Sequence, residues 1–117
     1  MSRKRVVVLG SNFGGFTAAL AVVHELHGDV DVVVISPSDR FVFNPSLIWL
    51  PFGKRRAADI TVPVAPTLEE HGIEFVHEAA ISIDPAARTV RTTSGSHAYD
   101  HLVITTGYRN RMDVVPG

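Results

Sequence analysis

Residues 6–15 read Val6-Val7-Val8-Leu9-Gly10-Ser11-Asn12-Phe13-Gly14-Gly15 (VVVLGSNFGG), and the reading of this stretch decides the fold. The run from Arg5 to Leu9 is apolar from Val6 onward and mostly β-branched, the pattern of a strand buried on both faces of a parallel sheet. It ends in a glycine-rich turn, Gly10-x-Asn12-x-x-Gly15, with Gly14 as an extra glycine. In a dinucleotide-binding turn the first glycine makes the tight bend and the second lets the backbone approach a pyrophosphate. The third lets helix and strand pack closely, and the free N–H groups of the helix N-terminus face the phosphates. Gly10 and Gly15 fill the first and third roles. Asn12 stands where the second glycine is usual. Its tolerance of left-handed backbone suits the turn, while its Cβ takes up scarce space.

The surroundings of the turn agree with this reading. Phe16, Ala19, Leu20, Val23 and Leu26 recur at helical spacing, which predicts a helix over 14–27 ended by Gly28. The small residues Thr17, Ala18 and Ala21 are expected close to the sheet. Val30 to Ile35 is a second buried strand, and strand, helix and strand together have the size of one βαβ unit. Residues 36–62 form a long irregular segment, too rich in Phe41, Phe43, Trp49, Leu50 and Phe52 to be disordered. A short helix follows over 64–71, stopped by Gly72, and then a third strand from Ile73 to Val76. Short alternating runs at 81–83, 89–91 and 97–99, punctuated by Asp84-Pro85 and Ser94-Gly95, read as an antiparallel meander. His101 to Thr105 is a further buried strand, ending at Thr106-Gly107. The fold class expected is α/β: a Rossmann-like FAD/NAD(P)-binding domain with a central parallel sheet and an antiparallel β-meander, three layers of ββα type. Residues 108–117 read as the start of a linker to a further domain.

Composition narrows the functions open to the chain. The 117 residues carry a net charge of −1 and no cysteine. Near-neutral charge argues against nucleic acid as the main partner. The lack of cysteine excludes a disulfide framework, a thiolate zinc site and thiol redox chemistry within these residues. No run of about 18 apolar residues is present to span a bilayer as a helix. Arg3-Lys4-Arg5 reads as a solvated lead into the first strand, and Lys54-Arg55-Arg56 as a solvated loop. His24 and His27 have helical metal-ligand spacing without a third ligand, so no metal site is assigned, and no catalytic residue either.

The end of the second strand leaves the dinucleotide open. The sequence there is Ile35-Ser36-Pro37-Ser38-Asp39-Arg40. An acidic residue commonly holds the ribose hydroxyls at the position of Ser36; a small residue followed by Arg40 could instead suit the 2′-phosphate of NADP.

Beyond the turn, the segments VVVISPSDRFVFNPSLIWLPFGKRRAADITVP, GIEFVHEAAISIDPAARTVRTTSG and YDHLVITTG complete an ordered set with VVVLGSNFGG. Together they resemble the flavin-domain start of the sulfide:quinone oxidoreductase-like, FAD-dependent pyridine nucleotide-disulfide oxidoreductases. The pattern Phe41-x-Phe43-x-Pro45-Ser46-x-x-Trp49, with Thr106-Gly107, is the most specific part. The resemblance implies FAD, because a serine at the position of Ser36 is frequent in the family. It further implies that Gly10, Ser11, Asn12, Phe13, Gly14 and Gly15 line the pyrophosphate. Ser36 and Pro37 would meet the adenosine ribose, Ala79 and Ala80 the adenine, and Pro45 and Ser46 the isoalloxazine, with Thr106 and Gly107 closing over the cofactor.

At the level of function, the resemblance implies electron transfer from sulfide, or a nicotinamide donor, through FAD to a quinone. The chain is then expected to be an N-terminal portion, inactive alone, of a longer flavoprotein, cytoplasmic or peripheral on the inner face of the cell membrane. The partners expected are FAD, the remainder of the chain, sulfide and quinone, and a second copy through the apolar loop 41–52. The alternatives are an NAD(P)-binding Rossmann module and a non-catalytic nucleotide-binding module. On steric grounds alone, Asn12→Gly is expected to bind FAD at least as tightly.

Overall fold

The computed structural model describes residues 3–26, 29–107 and 113–114. The chain opens with strand β1 (Lys4–Leu9), helix α1 (Phe13–Glu25) and strand β2 (Val30–Ser36). Next come strand β3 (Arg40–Val42), a 3-10 turn (Asn44–Trp49), helix α2 (Ala57–Ile60), strand β4 (Thr61–Pro63), helix α3 (Ala65–Glu70) and strand β5 (Glu74–His77). The meander β6 (Ala80–Asp84), β7 (Thr89–Thr92) and β8 (Ser96–Ala98) precedes the last strand, β9 (His101–Ile104).

β5, β2, β1 and β9 form one parallel sheet in that order, and β6, β7 and β8 form a separate antiparallel sheet. The period-two alternation of the parallel strands explains the layering. Val6 and Val8 join Val30, Val32 and Val34 on one face, under α1 and α3, with Ala19, Val64, Leu68 and Ile73. Val7, Leu9, Val33 and Ile35 point to the other face and pack with Val90 of the meander. The helix, parallel-sheet and meander layers are those the sequence predicts.

Several details differ from the sequence expectations. Leu26 lies beyond the end of α1 and is exposed. Thr17 and Ala21 are exposed as well, and the small residues buried on α1 are Gly15 and Ala19, spaced four apart on one face. Gly28 and His27 fall outside the described residues, as do 108–112 and 115–117 of the expected linker. The segment 36–62 is not irregular throughout. β3 pairs antiparallel with β4, Phe43 N–H donates to Ile60 O, and Val64 N–H donates to Asp39 O. Because 18 residues separate the two strands, no local turn chemistry announces the ribbon.

β9, expected to be buried, is the edge of the sheet among the described residues, with His101 and Ile104 exposed. Arg3 and Arg5 are not simply solvated either. Arg5 is part of β1, and the two guanidiniums lie 3.2 and 3.7 Å from Asp31 and Glu74.

The meander is tied to the end of β5 by Glu78. Its carboxylate accepts from Ser94 Oγ at 2.6 Å, Thr93 Oγ1 at 2.9 Å and Ser94 N–H at 2.9 Å. These donors, the Ser94 hydroxyl first, hold its pKa down at about 2. A depressed carboxylate stabilises the fold above its ordinary pKa, and the contribution is lost as pH falls from about 4.5 towards 2. Glu78→Gln is therefore expected to lower the melting temperature at pH 7, and the gap from the wild-type chain should narrow in melts between pH 4.5 and pH 2.

Candidate functional site

The register brings the ends of three strands level. Leu9 of β1 stands beside Ile35 of β2 on one side and Ile104 of β9 on the other. The residues that follow, Gly10, Ser36 and Thr105, therefore meet at one edge of the sheet. Gly10 N–H donates to Ile35 O, and Thr105 N–H and Oγ1–H both donate to Leu9 O at 2.9 and 2.7 Å. This edge lies at the carboxyl ends of parallel strands, where open α/β sheets bind ligands.

A cleft of about 390 Å³ opens there, within the roughly 300–1,000 Å³ typical of small-molecule sites. Of the residues predicted from sequence, Gly10, Ser11, Asn12, Ser36, Pro37, Ala79, Ala80 and Thr106 line it. Leu9, Ile35, Ser38, Arg40, Val42 and Thr105 complete the wall. Arg40 supplies a positive charge, and the wall contains no carboxylate, which suits an anionic ligand.

The glycine turn depends on close approach. Gly10 has φ +104°, and a Cβ on it would lie 2.5 Å from Thr105 O. A Cβ on Gly15 would lie 1.9 Å from Gly10 O and 2.7 Å from Thr105 Oγ1. Both glycines thus do what the motif requires, and Thr105 is the residue they approach. Asn12 differs from expectation: its φ is −93° with extended ψ, so nothing left-handed is demanded of it. Although Asn12 occupies the N-cap of α1, its side chain makes no cap hydrogen bond; Oδ1 accepts from Val42 N–H at 3.0 Å. The first-turn amides of α1 consequently have no side-chain cap, and no acidic residue stands in that turn. Such amides carry the positive end of the helix dipole.

Ser11 and Ser36 are both buried, with their hydroxyls 3.0 Å apart. Ser36 Oγ also accepts from Ser38 N–H, so its oxygen helps to shape the loop after β2.

The other predicted residues lie elsewhere. Gly14 and Gly15 sit in the first turn of α1 rather than in the cleft wall. The ring of Phe13 packs on Phe41 and Phe43, at 4.8 and 6.0 Å between centroids. Phe16 also meets Phe41, at 5.4 Å. Pro45 and Ser46 belong to the 3-10 turn, and Gly107 is exposed beyond the wall. The apolar segment keeps Ile48 and Phe52 largely exposed, at 63% and 75%. Lys54 is not merely solvated, as its Nζ lies 5.2 Å above the Trp49 ring.

Residues 4–117 match the family model described as pyridine nucleotide-disulphide oxidoreductase. The chain belongs to the pyridine nucleotide-disulphide oxidoreductase family. Within it, the chain is 45% identical over 105 residues to the sulfide-quinone reductase of Aquifex aeolicus, a match covering 89% of this chain and 24% of that protein. It is 32% identical over 132 residues to the alternative NAD(P)H-ubiquinone oxidoreductase C1 of Arabidopsis thaliana, covering 98% of this chain and 25% of that one. The chain thus spans about a quarter of the length of these relatives. Its fold superposes on the X-ray structure of the sulfide:quinone oxidoreductase from Aquifex aeolicus with a TM-score of 0.86 and 43% identity, over 93% of this chain and 25% of that one. The water-forming NADH oxidase of Lactobacillus brevis shares the fold at a TM-score of 0.85 and 24% identity.

The residues present fit a dinucleotide flavin. Small side chains line the cleft where a flat, anionic group would need close approach, Arg40 supplies a positive charge, and the turn at its glycine end leads directly into α1, whose first turn has no side-chain cap. Among the described residues, no group of three or more acidic, histidine or cysteine side chains could hold a metal, and no helix is long and apolar enough to cross a membrane.

Proposed function

We propose that this chain is the FAD-binding portion of a longer flavin-dependent oxidoreductase that passes electrons from sulfide, or from a nicotinamide donor, to a quinone. The observation that carries the reading is the 45% identity to a sulfide-quinone reductase across nearly the whole chain, joined to a cleft in the position where this fold takes its ligand. In this reading the amides at Phe13, Gly14 and Gly15 bind the pyrophosphate, and Gly10, Ser11 and Asn12 shape the turn around it. Ser36 and Pro37 sit by the ribose, Ala79 and Ala80 by the adenine, and Thr105, Thr106 and Gly107 close the near side. Pro45 and Ser46 lie towards the flavin ring. Bound FAD would supply the redox chemistry by taking up an electron pair and passing it on; the residues described bind and orient it. The parent protein is peripheral at the inner face of the cell membrane, where its quinone resides, and residues 108–117 lead into its next domain.

A second reading, an NADP-binding module, is favoured by Arg40 in the cleft wall and by the lack of a carboxylate beside Ser36. Titration of the purified chain with FAD and with NADPH, followed by flavin and nicotinamide fluorescence, separates the two. FAD is expected to bind at least tenfold more tightly. Tighter binding of NADPH would select the second reading.

A further inference from the structure

We infer that Asn12 is a positioning residue whose side chain couples the glycine turn to the β3 ribbon, so that ligand binding at the turn and order at the ribbon depend on one another. The inference rests on the cofactor reading above. Its basis is one hydrogen bond and the contacts around it.

The N-cap position normally directs its side chain at the amides of the helix that it starts. Asn12 instead reaches a backbone N–H 30 residues away, that of Val42. Val42 pairs with Thr61 across the ribbon, but its N–H is directed at Asn12. Asn12 and Val42 both line the cleft, as does Arg40 on the same strand. The Asn12–Val42 bond therefore fixes β3 as one wall of the cleft. The ring contacts of Phe13 and Phe16 with Phe41 support the same docking from beside the turn.

This use of the side chain has a consequence at the helix. Because Oδ1 is committed to Val42, the first-turn amides of α1 receive no side-chain cap. A glycine at position 12 would likewise leave them uncapped, but it would release β3. A serine could cap the helix yet is too short to hold β3. An aspartate has the shape of asparagine and offers the same acceptor. Asn12 thus combines an open phosphate end with a fixed wall, which none of the smaller residues does.

The test compares the wild-type chain with Asn12→Gly, Asn12→Ser and Asn12→Asp. Amide hydrogen exchange by NMR, run without FAD, reads the Val42 N–H directly. Val42 is expected to be protected in the wild-type chain and in Asn12→Asp, and to exchange at least tenfold faster in Asn12→Gly and Asn12→Ser. FAD titration is expected to show Asn12→Gly and Asn12→Ser binding about tenfold more weakly than the wild-type chain, the scale of one lost hydrogen bond. FAD should further slow Val42 exchange in the wild-type chain but not in Asn12→Gly. Wild-type protection of Val42 in Asn12→Gly overturns the tether. Lost protection with undiminished FAD affinity overturns the coupling. A wild-type chain that takes up no FAD overturns the cofactor reading, while the exchange measured without FAD still decides the tether.

Discussion

Gly15→Ala is expected to destabilise the chain by on the order of 3 kcal/mol, the upper part of the range for overpacking a closed site. In a domain of this size, that corresponds to a fall in melting temperature of roughly 10 °C or more. The added methyl has nowhere to go. Its Cβ would stand 1.9 Å from the carbonyl oxygen of Gly10 and 2.7 Å from Thr105 Oγ1. The first neighbour is backbone at the end of a buried strand, and the second is a hydroxyl held against Leu9 O. Neither can rotate aside as the end of a long side chain could. α1 must therefore lift from β1 at its first turn, which strains the packing of Ala19 against the valines below and moves the amides that the cofactor reading assigns to the pyrophosphate. FAD binding should fall with stability. Gly95→Ala is the control: Gly95 has ordinary backbone and open space at its Cβ, so it should change stability by no more than about 0.5 kcal/mol. Thermal melts of the two variants beside the wild-type chain check the expectation. Equal melting temperatures for Gly15→Ala and the wild-type chain would mean that the close approach of helix and strand is not the reason for the third glycine.

Much of this site is legible in the sequence because its determinants are local. β-Branched runs at Val6 to Leu9 and Val30 to Ile35, a glycine turn between strand and helix, and a helical period afterwards leave few alternatives to βαβ. Once β1 and β2 are placed side by side, Gly10 and Ser36 must share an edge. The unread part is non-local. Thr105 could have been found only by knowing that β1 and β9 are neighbours ending in step, for then the residue after Ile104 faces Gly10. The role of Asn12 depends on β3, whose pairing with β4 closes a long segment without a turn motif. From sequence alone Asn12 is a steric objection. In the fold its conformation is unstrained and its side chain holds a strand. The place of the Phe13 ring is non-local for a related reason: it packs on Phe41 and Phe43, which are equally remote in sequence.

The second large effect lies under the sheet. Leu68→Ala is expected to cost about 3 kcal/mol, within the roughly 2–5 kcal/mol measured when buried leucines are cut to alanine. Leu68 is fully buried, on a helix of only six residues. So short a helix has little stability of its own and exists because its apolar face is docked. That face is Val64 and Leu68, with Ile73 following on the way into β5, and all three join Val30, Val32 and Val34 in one cluster. The backbone around Leu68 cannot collapse easily into the space a truncation leaves. Its N–H donates to Val64 O, and its carbonyl accepts from His71 and Ile73. A cavity should therefore persist, and the loss should lie well above that of a site free to relax. Leu68→Met keeps nearly the same volume and should cost less than about 1.5 kcal/mol. Urea denaturation of the three chains separates these outcomes. The midpoint should fall strongly for Leu68→Ala with an unchanged slope, because the same surface is exposed on unfolding. Since β5 pairs directly with β2, whose last residue Ser36 lines the cleft, the destabilisation should also reach the ligand site. FAD affinity in Leu68→Ala should then weaken as the temperature approaches its lowered melting point and stay near the wild-type value well below it. A variant that lost FAD affinity equally at all temperatures would place Leu68 in a direct path to the cleft rather than in the support of β5.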